Sequence, residues 1–577
     1  MTRPQHASNA GTLSRVSAAA SEFHSATADL FVGILRREVA ETKITSVSGI
    51  SVIRTIRTRP SQTHGLDYRT YRAYAECPSL FTAYSTHSAA FRSSAIRTSV
   101  RFGEKSCSTG RSDEPSERYR MRSVNSIPSA PKAAPLLGHA IPLLRDPTRF
   151  LTSLPTTESL IRIRIGPARI VLACDPATVR QLLRDDRTFD KGGPIYDRIR
   201  EVLRDSLASC PYDAHRRQRR LAQPAFRSDR LPRYAETMTE CIVDVIDSWP
   251  DDEPLNLLTE MMTITSRVTA ATLLSNTLPT GLLDRLLADV TTLFDGFYLR
   301  TFLPPPLDRL PTAGNLSYRR AHARLRRTVD DIIAQRRRTP DDHGDLLSAL
   351  MTARDDEHDG GGMSDEEITD TIIAFFLAGT ETTATTLAWA LYLLARNPEV
   401  EHRLHAEVDA VLTERTAHYT DLHRLPLTER VITEALRVYS PAWLSMRVVT
   451  DATTLGGYTL PVGTTVAYSP YLIHHRADVF PQPEIFDPGR WDPDVAHPPL
   501  ENFLPFGGGA RKCIGDRFGM TEATLTLATI ASRWRLRLST DREVTPATGL
   551  LLRPRNLLMT PSPRQTTPIH PVEKAER

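Results

Sequence analysis

The chain has 577 residues, 40% hydrophobic and 24% charged, with 72 Lys+Arg against 68 Asp+Glu, which places it among globular proteins with a large apolar core. The basic excess is confined to the first fifth: residues 1–120 carry 17 basic against 10 acidic residues and the remainder 55 against 58, so a nucleic-acid-binding face is not expected. Six scattered cysteines without a CxxC pair, and no run of roughly 18 apolar residues, argue against a disulfide-stapled domain or a membrane anchor and for a soluble protein in a reducing, cytoplasmic setting.

Residues 1–120 are rich in Ser, Thr, Ala and Arg and close on the charged stretch Arg111 to Arg120, directly before Met121. Two readings compete: a flexible or targeting extension of transit-peptide composition, or residues ahead of a start at Met121. The second is favoured, because one continuous domain over 121–577 begins there. Pro128, Pro131, Pro135, Gly138 and Pro142 punctuate an irregular entry that cannot be helical throughout. Leu160 to Ile165 alternates Leu-Ile-Arg-Ile-Arg-Ile, Gly166-Pro167 supplies a turn and Arg169 to Ala173 returns, which predicts a β-hairpin with one buried face. Helices dominate beyond it.

Ser364 with Glu367 forms a capping box that opens the clearest long helix, and Asn397-Pro398 stops it after Arg396. That is about 32 residues, or roughly 48 Å at about 1.5 Å per residue. Its middle, Ile372 to Leu377, is apolar all round, so a buried helix is expected. In Ala378-Gly-Thr-Glu-Thr-Thr383, Gly379 removes a side chain and the Thr hydroxyls can back-bond to the preceding turn, where the helix can open a groove. A second helix is expected over about Leu427 to Tyr439, ended by Ser440-Pro441. Short strands follow around Gly456-Gly457 and Pro461-Val-Gly463. The whole reads as mainly α with a minor β-sheet region.

Near the C-terminus Phe506-Gly507-Gly-Gly509-Ala-Arg511-Lys-Cys513-Ile-Gly515 precedes a helix from about Asp516 through Arg533. A thiolate needs help to stay deprotonated, and a Cys just before a helix N-terminus receives backbone N–H groups and the positive dipole end. The glycines let the backbone approach a flat ligand, and Arg511 can reach an anionic group beside it. Phe506, Gly509, Arg511, Cys513 and Gly515 resemble the haem-binding loop of the cytochrome P450 family at every position. The resemblance covers about Pro128 to Arg564. It implies the family's triangular helical prism with a long central helix over the haem, haem b as cofactor, and Cys513 as the thiolate ligand that favours O–O cleavage.

The same resemblance assigns the other constellations. Glu381 and Thr382 look like the family's oxygen-activation pair, Thr382 hydrogen-bonding dioxygen and Glu381 relaying protons through water. A Thr-rich helical patch alone is more often core. Glu434 and Arg437 form an ExxR pair at i, i+3, common on solvated faces. In the family it is buried and joined by a later Arg, for which Arg490 fits, and it supports the haem loop. His215 and Arg219, one helical turn apart, and Arg447 correspond to propionate-binding positions. Arg216, Arg217 and Arg220 read as a solvated basic face that, with Lys512, could receive an acidic electron donor.

The implied reaction inserts one atom of dioxygen into a C–H bond and reduces the other to water, with a ferredoxin and its reductase as separate partners. Ala374, Phe375, Phe376, Ala378, Ala442, Leu444, Leu550 and Leu551 fall at the family's substrate-contact regions and are apolar, so a hydrophobic small molecule is expected. Tyr471-Leu-Ile-His-His-Arg and Pro441-Ala-Trp443 look most like bacterial members that oxidise sesquiterpenes or fatty acids, of the pentalenene-oxygenase type; a terpene is favoured, with fatty acid or polyketide as alternatives. Two other classes are weighed. A peroxide-driven or isomerising haem-thiolate enzyme commonly lacks the acid–Thr pair, which is intact here. A non-catalytic haem gas sensor usually brings a signalling domain.

Overall fold

The computed structural model describes residues 122–275, 280–302, 310–338, 341–357, 360–412, 415–495, 499–539 and 542–564. The expectation for residues 1–120 lies outside them. The hairpin expected after the Pro-rich entry is present: β1 (Leu160–Ile165) pairs antiparallel with β2 (Ala168–Ala173), Leu160 opposite Ala173 and Ile165 opposite Ala168. Gly166 turns between them at φ +56°, a conformation that costs glycine nothing. Helix α1 (Pro176–Arg184) and the short strand β3 (Phe189–Asp190) follow, then the helices α2 (Tyr212–Ala222), α3 (Leu231–Ile246) and α4 (Leu257–Leu274).

The long helix α5 spans Asp365–Arg396. Its capping box closes as the sequence requires: Ser364 N–H donates to Glu367 Oε2 at 2.8 Å and Glu367 N–H to Ser364 Oγ at 3.2 Å. Helix α6 (Pro426–Val438), strands β4 (Ser445–Val449) and β5 (Thr465–Tyr468), helix α7 (Asp516–Arg533) and a late hairpin of β6 (Thr545–Thr548) and β7 (Leu552–Arg555) complete what positions the site. The main sheet runs β1-β2-β5-β4-β3, with β2 parallel to β5 and the other pairs antiparallel.

The early hairpin corrects one expectation. Ile161, Ile163, Ile170 and Leu172 join a core cluster with Trp443 and Met446, while Leu160, Val171 and Ala173 join another with Phe189 and Tyr468. Both faces are buried, because a core cluster packs on each, and alternation in sequence cannot distinguish a covered polar stem from an open face.

Helix α5 packs along α4, α6 and α7. Ile368, Ile372, Ile373, Phe376, Leu387 and Trp389 are all buried, at every angle round its axis. At about 1.5–3 kcal/mol per fully buried large apolar side chain, this helix anchors the core. Thr265 of α4 donates its hydroxyl to the Thr380 carbonyl at 2.7 Å, fixing the register of the two helices. No helix among the described residues is long and apolar enough to cross a membrane.

Candidate active site

Cys513 sits three residues ahead of α7. Its N–H donates to the Phe506 carbonyl at 2.9 Å, and Gly507 N–H to the Leu504 carbonyl at 3.0 Å, which fold the loop into a tight bulge. Burial pushes the Cys513 thiol up, while the Gly515 N–H, Arg219 and Lys512 pull it back towards the thiolate. Its side chain is nevertheless exposed. The thiol is thus flanked by protein and still open to a ligand.

The glycines of this loop also serve the protein's own packing. Gly509 has φ +65°, and a Cβ there would lie 2.0 Å from the Leu183 carbonyl oxygen, while one at Gly508 would meet Leu183 Cδ1 at 3.2 Å. This close approach is to the C-terminal end of α1. Gly507, at φ +68° with only the Tyr468 hydroxyl near a Cβ at 3.7 Å, is required by backbone conformation.

Beside the loop the chain gathers cations. His215 on α2 is buried with its Nδ1 lacking a hydrogen-bond partner. Burial, with Arg511, Lys191 and Arg219 close by, drives its imidazole down to about 3. Arg447 on β4 is buried, and its guanidinium meets only neutral groups: the Met446 carbonyl at 2.7 Å, Ser445 Oγ at 3.3 Å, Tyr196 Oη at 3.4 Å and the Tyr468 ring. Lys191, which follows β3, donates to the Ala208 carbonyl at 2.6 Å and lies 5.9 Å from the Tyr196 ring centre. Burial, then Arg447 and Arg511, pull its ammonium down to about 8. For Tyr196 burial acts upward, but Arg447 and Lys191 hold the phenol down at about 8. Arg219 donates to the Lys512 carbonyl at 2.5 Å and to Gln223 Oε1 at 2.9 Å.

Among the described residues no carboxylate lies within ion-pair distance of Lys191, Arg219 or Arg447. Arg447 and Arg511 lower the affinity of Lys191 for a proton, and Arg511, Lys191 and Arg219 lower that of His215, an excess of positive charge that suits an anionic ligand. Arg511 differs from Lys191, Arg219 and Arg447 in having acids at hand. It is bonded to Asp190 Oδ1 at 2.7 Å and the Cys210 carbonyl at 2.8 Å, with Asp186 Oδ2 at 3.3 Å. Two acids already neutralise it, so it ties the cysteine loop to β3. Lys191 and Tyr196 were missed in the sequence, where one Lys in Asp190-Lys-Gly-Gly-Pro carries no periodic or spacing signal.

The ExxR helix α6 behaves as expected. Glu434 and Arg437 are fully buried and joined by two bonds of 2.9 and 2.8 Å. Arg437 also donates to the carbonyls of Pro483, His474 and Ile485 at 2.8–3.1 Å. Arg490 Nε stands 3.5 Å from Glu434 Oε1, and Trp491, unforeseen, donates its indole N–H to Glu434 Oε2 at 2.8 Å. The link to the cysteine loop is concrete. The Trp491 and Phe503 rings pack at 4.7 Å, and Leu504 N–H donates to His474 Nε2 at 2.9 Å, just ahead of Phe506.

Helix α5 runs unbroken through Ala378–Thr383. Ala378 is exposed and Gly379 and Thr382 half-buried, in the middle of a helix whose central turns are otherwise mostly buried. Thr382 donates its hydroxyl to the Ala378 carbonyl at 2.7 Å, which leaves its oxygen lone pairs towards the opening. Phe226 bridges the two walls: its ring packs edge-on to Phe375 of α5 at 5.1 Å and would lie 3.5 Å from a Cβ at Gly515. Glu381 does not share the opening with Thr382. It is fully buried and ion-paired with Arg553 of β7, because successive helical residues point about 100° apart.

Of the expected pocket residues, Ala442 and Leu550 are exposed and Leu444 half-buried. They come together because Leu552 N–H donates to the Pro441 carbonyl at 3.0 Å and Trp443 Nε1–H to the Gly549 carbonyl at 3.1 Å. Ala374, Phe376 and Leu551 are corrected: at 1%, 2% and 6% exposure they belong to the core, since they lie on helix or hairpin faces turned into packed neighbours. The basic face is corrected as well. Arg217 pairs with Glu367 at 2.6 Å, and Arg220 with Asp355 and Glu357 at 3.0 Å. Arg216 and Lys512 remain exposed, the former over the Tyr212 ring and the latter paired with Asp516.

The family description of cytochrome P450 matches residues 128–567. The chain is 45% identical over 411 residues to cyclooctat-9-en-7-ol 5-monooxygenase of Streptomyces melanosporofaciens, covering 71% of this chain and 89% of that protein. It is 43% identical over 431 residues to pentalenene oxygenase of Streptomyces avermitilis, covering 74% and 96%. Among solved structures, the haem domain of cytochrome P450DA superposes with a TM-score of 0.70 at 27% identity, over 76% of this chain and 98% of that one.

Proposed function

The chain belongs to the cytochrome P450 family of haem-thiolate monooxygenases, and from that premise we propose that it oxidises a polycyclic terpene with electrons from a ferredoxin. When bound, haem b supplies the activation of dioxygen that places one oxygen atom in a C–H bond while the other leaves as water, consuming two electrons and two protons. The donor set fits that group: Cys513 would provide the thiolate, and Lys191, His215, Arg219 and Arg447 would receive its two carboxylates. His215 Nδ1, buried without a partner, carries this assignment, since an orphaned polar atom of that kind calls for a ligand.

The chain's own residues would then do three things. Ala378, Ala442, Leu444 and Leu550 offer an uncharged wall that accepts a hydrocarbon and excludes water. Thr382 would hold a proton at its Oγ over the opening, and Glu381 would resupply it. Arg216 and Lys512, exposed near the cysteine loop, would meet the acidic face of the donor. The substrate class is supported by the relatives, one named for oxidising pentalenene and one for oxidising cyclooctat-9-en-7-ol.

The test is spectral. The purified ferric protein titrated with pentalenene should shift from low to high spin, and palmitic acid should leave it unchanged. A shift with the fatty acid alone overturns the terpene reading. Cys513→Ser should lose the red-shifted Soret band of the ferrous CO complex, and its retention would remove Cys513 from the site.

A further inference from the structure

The pair formed by Glu381 and Arg553 joins two parts of the fold that have different tasks. Glu381 is fully buried on the face of α5 turned from the opening, and Arg553 reaches it from β7. The same face of α5 is tied to the same strand two turns later, where Trp389 Nε1–H donates to the Leu552 carbonyl at 2.8 Å. Residues 381, 385 and 389 lie one above the other along the helix, so β7 is laid along this strip of α5. At the tip of that hairpin stands exposed Leu550, beside Ala442 and Leu444. The residue that grips the acid and the residue expected to touch substrate are three positions apart on one turn-and-strand segment.

We propose that Arg553 is a positioning residue that holds the Glu381 carboxylate away from Thr382 until an occupant of the pocket, seated against Leu550, moves the hairpin and lets the carboxylate turn towards the opening. This rests on the monooxygenase reading of the site. A carboxylate beside Thr382 in an empty pocket would deliver protons with no C–H bond to oxidise, and reduced dioxygen would be released as hydrogen peroxide. Clamping the acid from the substrate hairpin ties proton delivery to occupancy. The proton moves from hydronium to the Glu381 carboxylate, and then from its carboxyl to the Thr382 oxygen as the hydroxyl passes its own proton on into the opening, so that Thr382 stays neutral and the carboxylate is restored.

The experiment compares wild type, Arg553→Met, Arg553→Lys, Glu381→Gln and the double variants, all loaded with haem. Each is first checked for the red-shifted ferrous CO band, whose absence from wild type would sink the haem-thiolate reading instead. The dithionite-reduced protein without substrate is then mixed with oxygenated buffer and its return to the ferric form followed. Arg553→Met should return about tenfold faster, a modest share of what placed general acids contribute, and should add nothing in the Glu381→Gln background. Equal rates in wild type and Arg553→Met, or the same acceleration with Gln at 381, would overturn the proposal.

A second readout is independent of turnover. The infrared spectrum of Arg553→Met should gain a carboxylic acid carbonyl band that the Glu381→Gln double variant lacks, because removing the cation favours the neutral acid; no such band means Arg553 does not hold the charge. If Arg553→Met does not fold, Arg553→Lys carries the test. Its shorter fork-less side chain should accelerate the return about twofold, again only with Glu at 381, and an unchanged rate refutes the clamp. Pentalenene should bring wild type towards the rate of Arg553→Met while leaving that variant unchanged; equal acceleration of both would refute coupling to the hairpin.

Discussion

Replacing Glu522 by Gln should stabilise the protein, and increasingly so as the pH rises. Glu522 lies on α7, fully buried against Thr383 of α5, and burial pushes its carboxyl up to about 8 from an ordinary 4.5. The unfolded chain therefore releases this proton well below the pH at which the folded chain does. Stability contributed by the protonated form is present in full below about 4.5 and is lost as pH rises through about 8. At about 1.4 kcal/mol per pH unit, the complete loss is on the order of 5 kcal/mol, a large part of a typical folding free energy. Gln keeps the shape and has no proton to lose. Guanidinium unfolding of both proteins between pH 5 and 8.5, followed by tryptophan fluorescence, should show a difference near zero at the acid end that grows to several kcal/mol at the alkaline end. Other titrating groups cancel in that difference. A difference independent of pH, or a Gln variant less stable at pH 8.5, would refute the argument.

Gly509→Ala should cost more than about 2 kcal/mol, as a positive φ and a Cβ driven into the Leu183 carbonyl combine; normal haem content and an unchanged unfolding midpoint would show that the loop yields freely. Lys191→Met should move two quantities in opposite directions: the haem-free protein becomes more stable at pH 7, because an unanswered buried cation is gone, while haem is lost about tenfold faster to a scavenger such as apomyoglobin. A fall in both would place Lys191 in the scaffold alone. Thr382→Ala should leave stability within about 0.5 kcal/mol, since its hydroxyl only back-bonds to Ala378, but should divert electrons from product to peroxide; unchanged coupling would take Thr382 out of the proton path.

What the sequence made legible, and what it hid, follows from the range of the interactions. Helix α5 could be bounded because its start and stop are local: Ser364 and Glu367 bond to each other, and Asn397-Pro398 follows at once. The Cys513 loop could be recognised because its chemistry is packed into ten consecutive residues. The ExxR pair is local as well, although its burial is not. By contrast, Lys191 gains meaning only from Arg447, over two hundred residues on. The contact of Gly508 and Gly509 with α1, more than three hundred residues earlier, carries no signal in the sequence. Arg553 is an ordinary strand residue until it meets Glu381.

The acid–Thr motif shows why adjacency in sequence is a poor guide to adjacency in chemistry. Glu381 and Thr382 were read as one unit, yet on a straight helix neighbours diverge by about 100°, and in an unbroken α5 only Thr382 can face the opening. A Glu turned into the core must be neutral, as burial makes Glu522, or must meet a cation, and half-buried Arg553 of β7 supplies one to Glu381. In the proposed relay the motif would then work only through a residue outside it. The acid would have to change partners to serve Thr382, so the strength of the Glu381–Arg553 pair, rather than the presence of the acid, would set how protons reach the site.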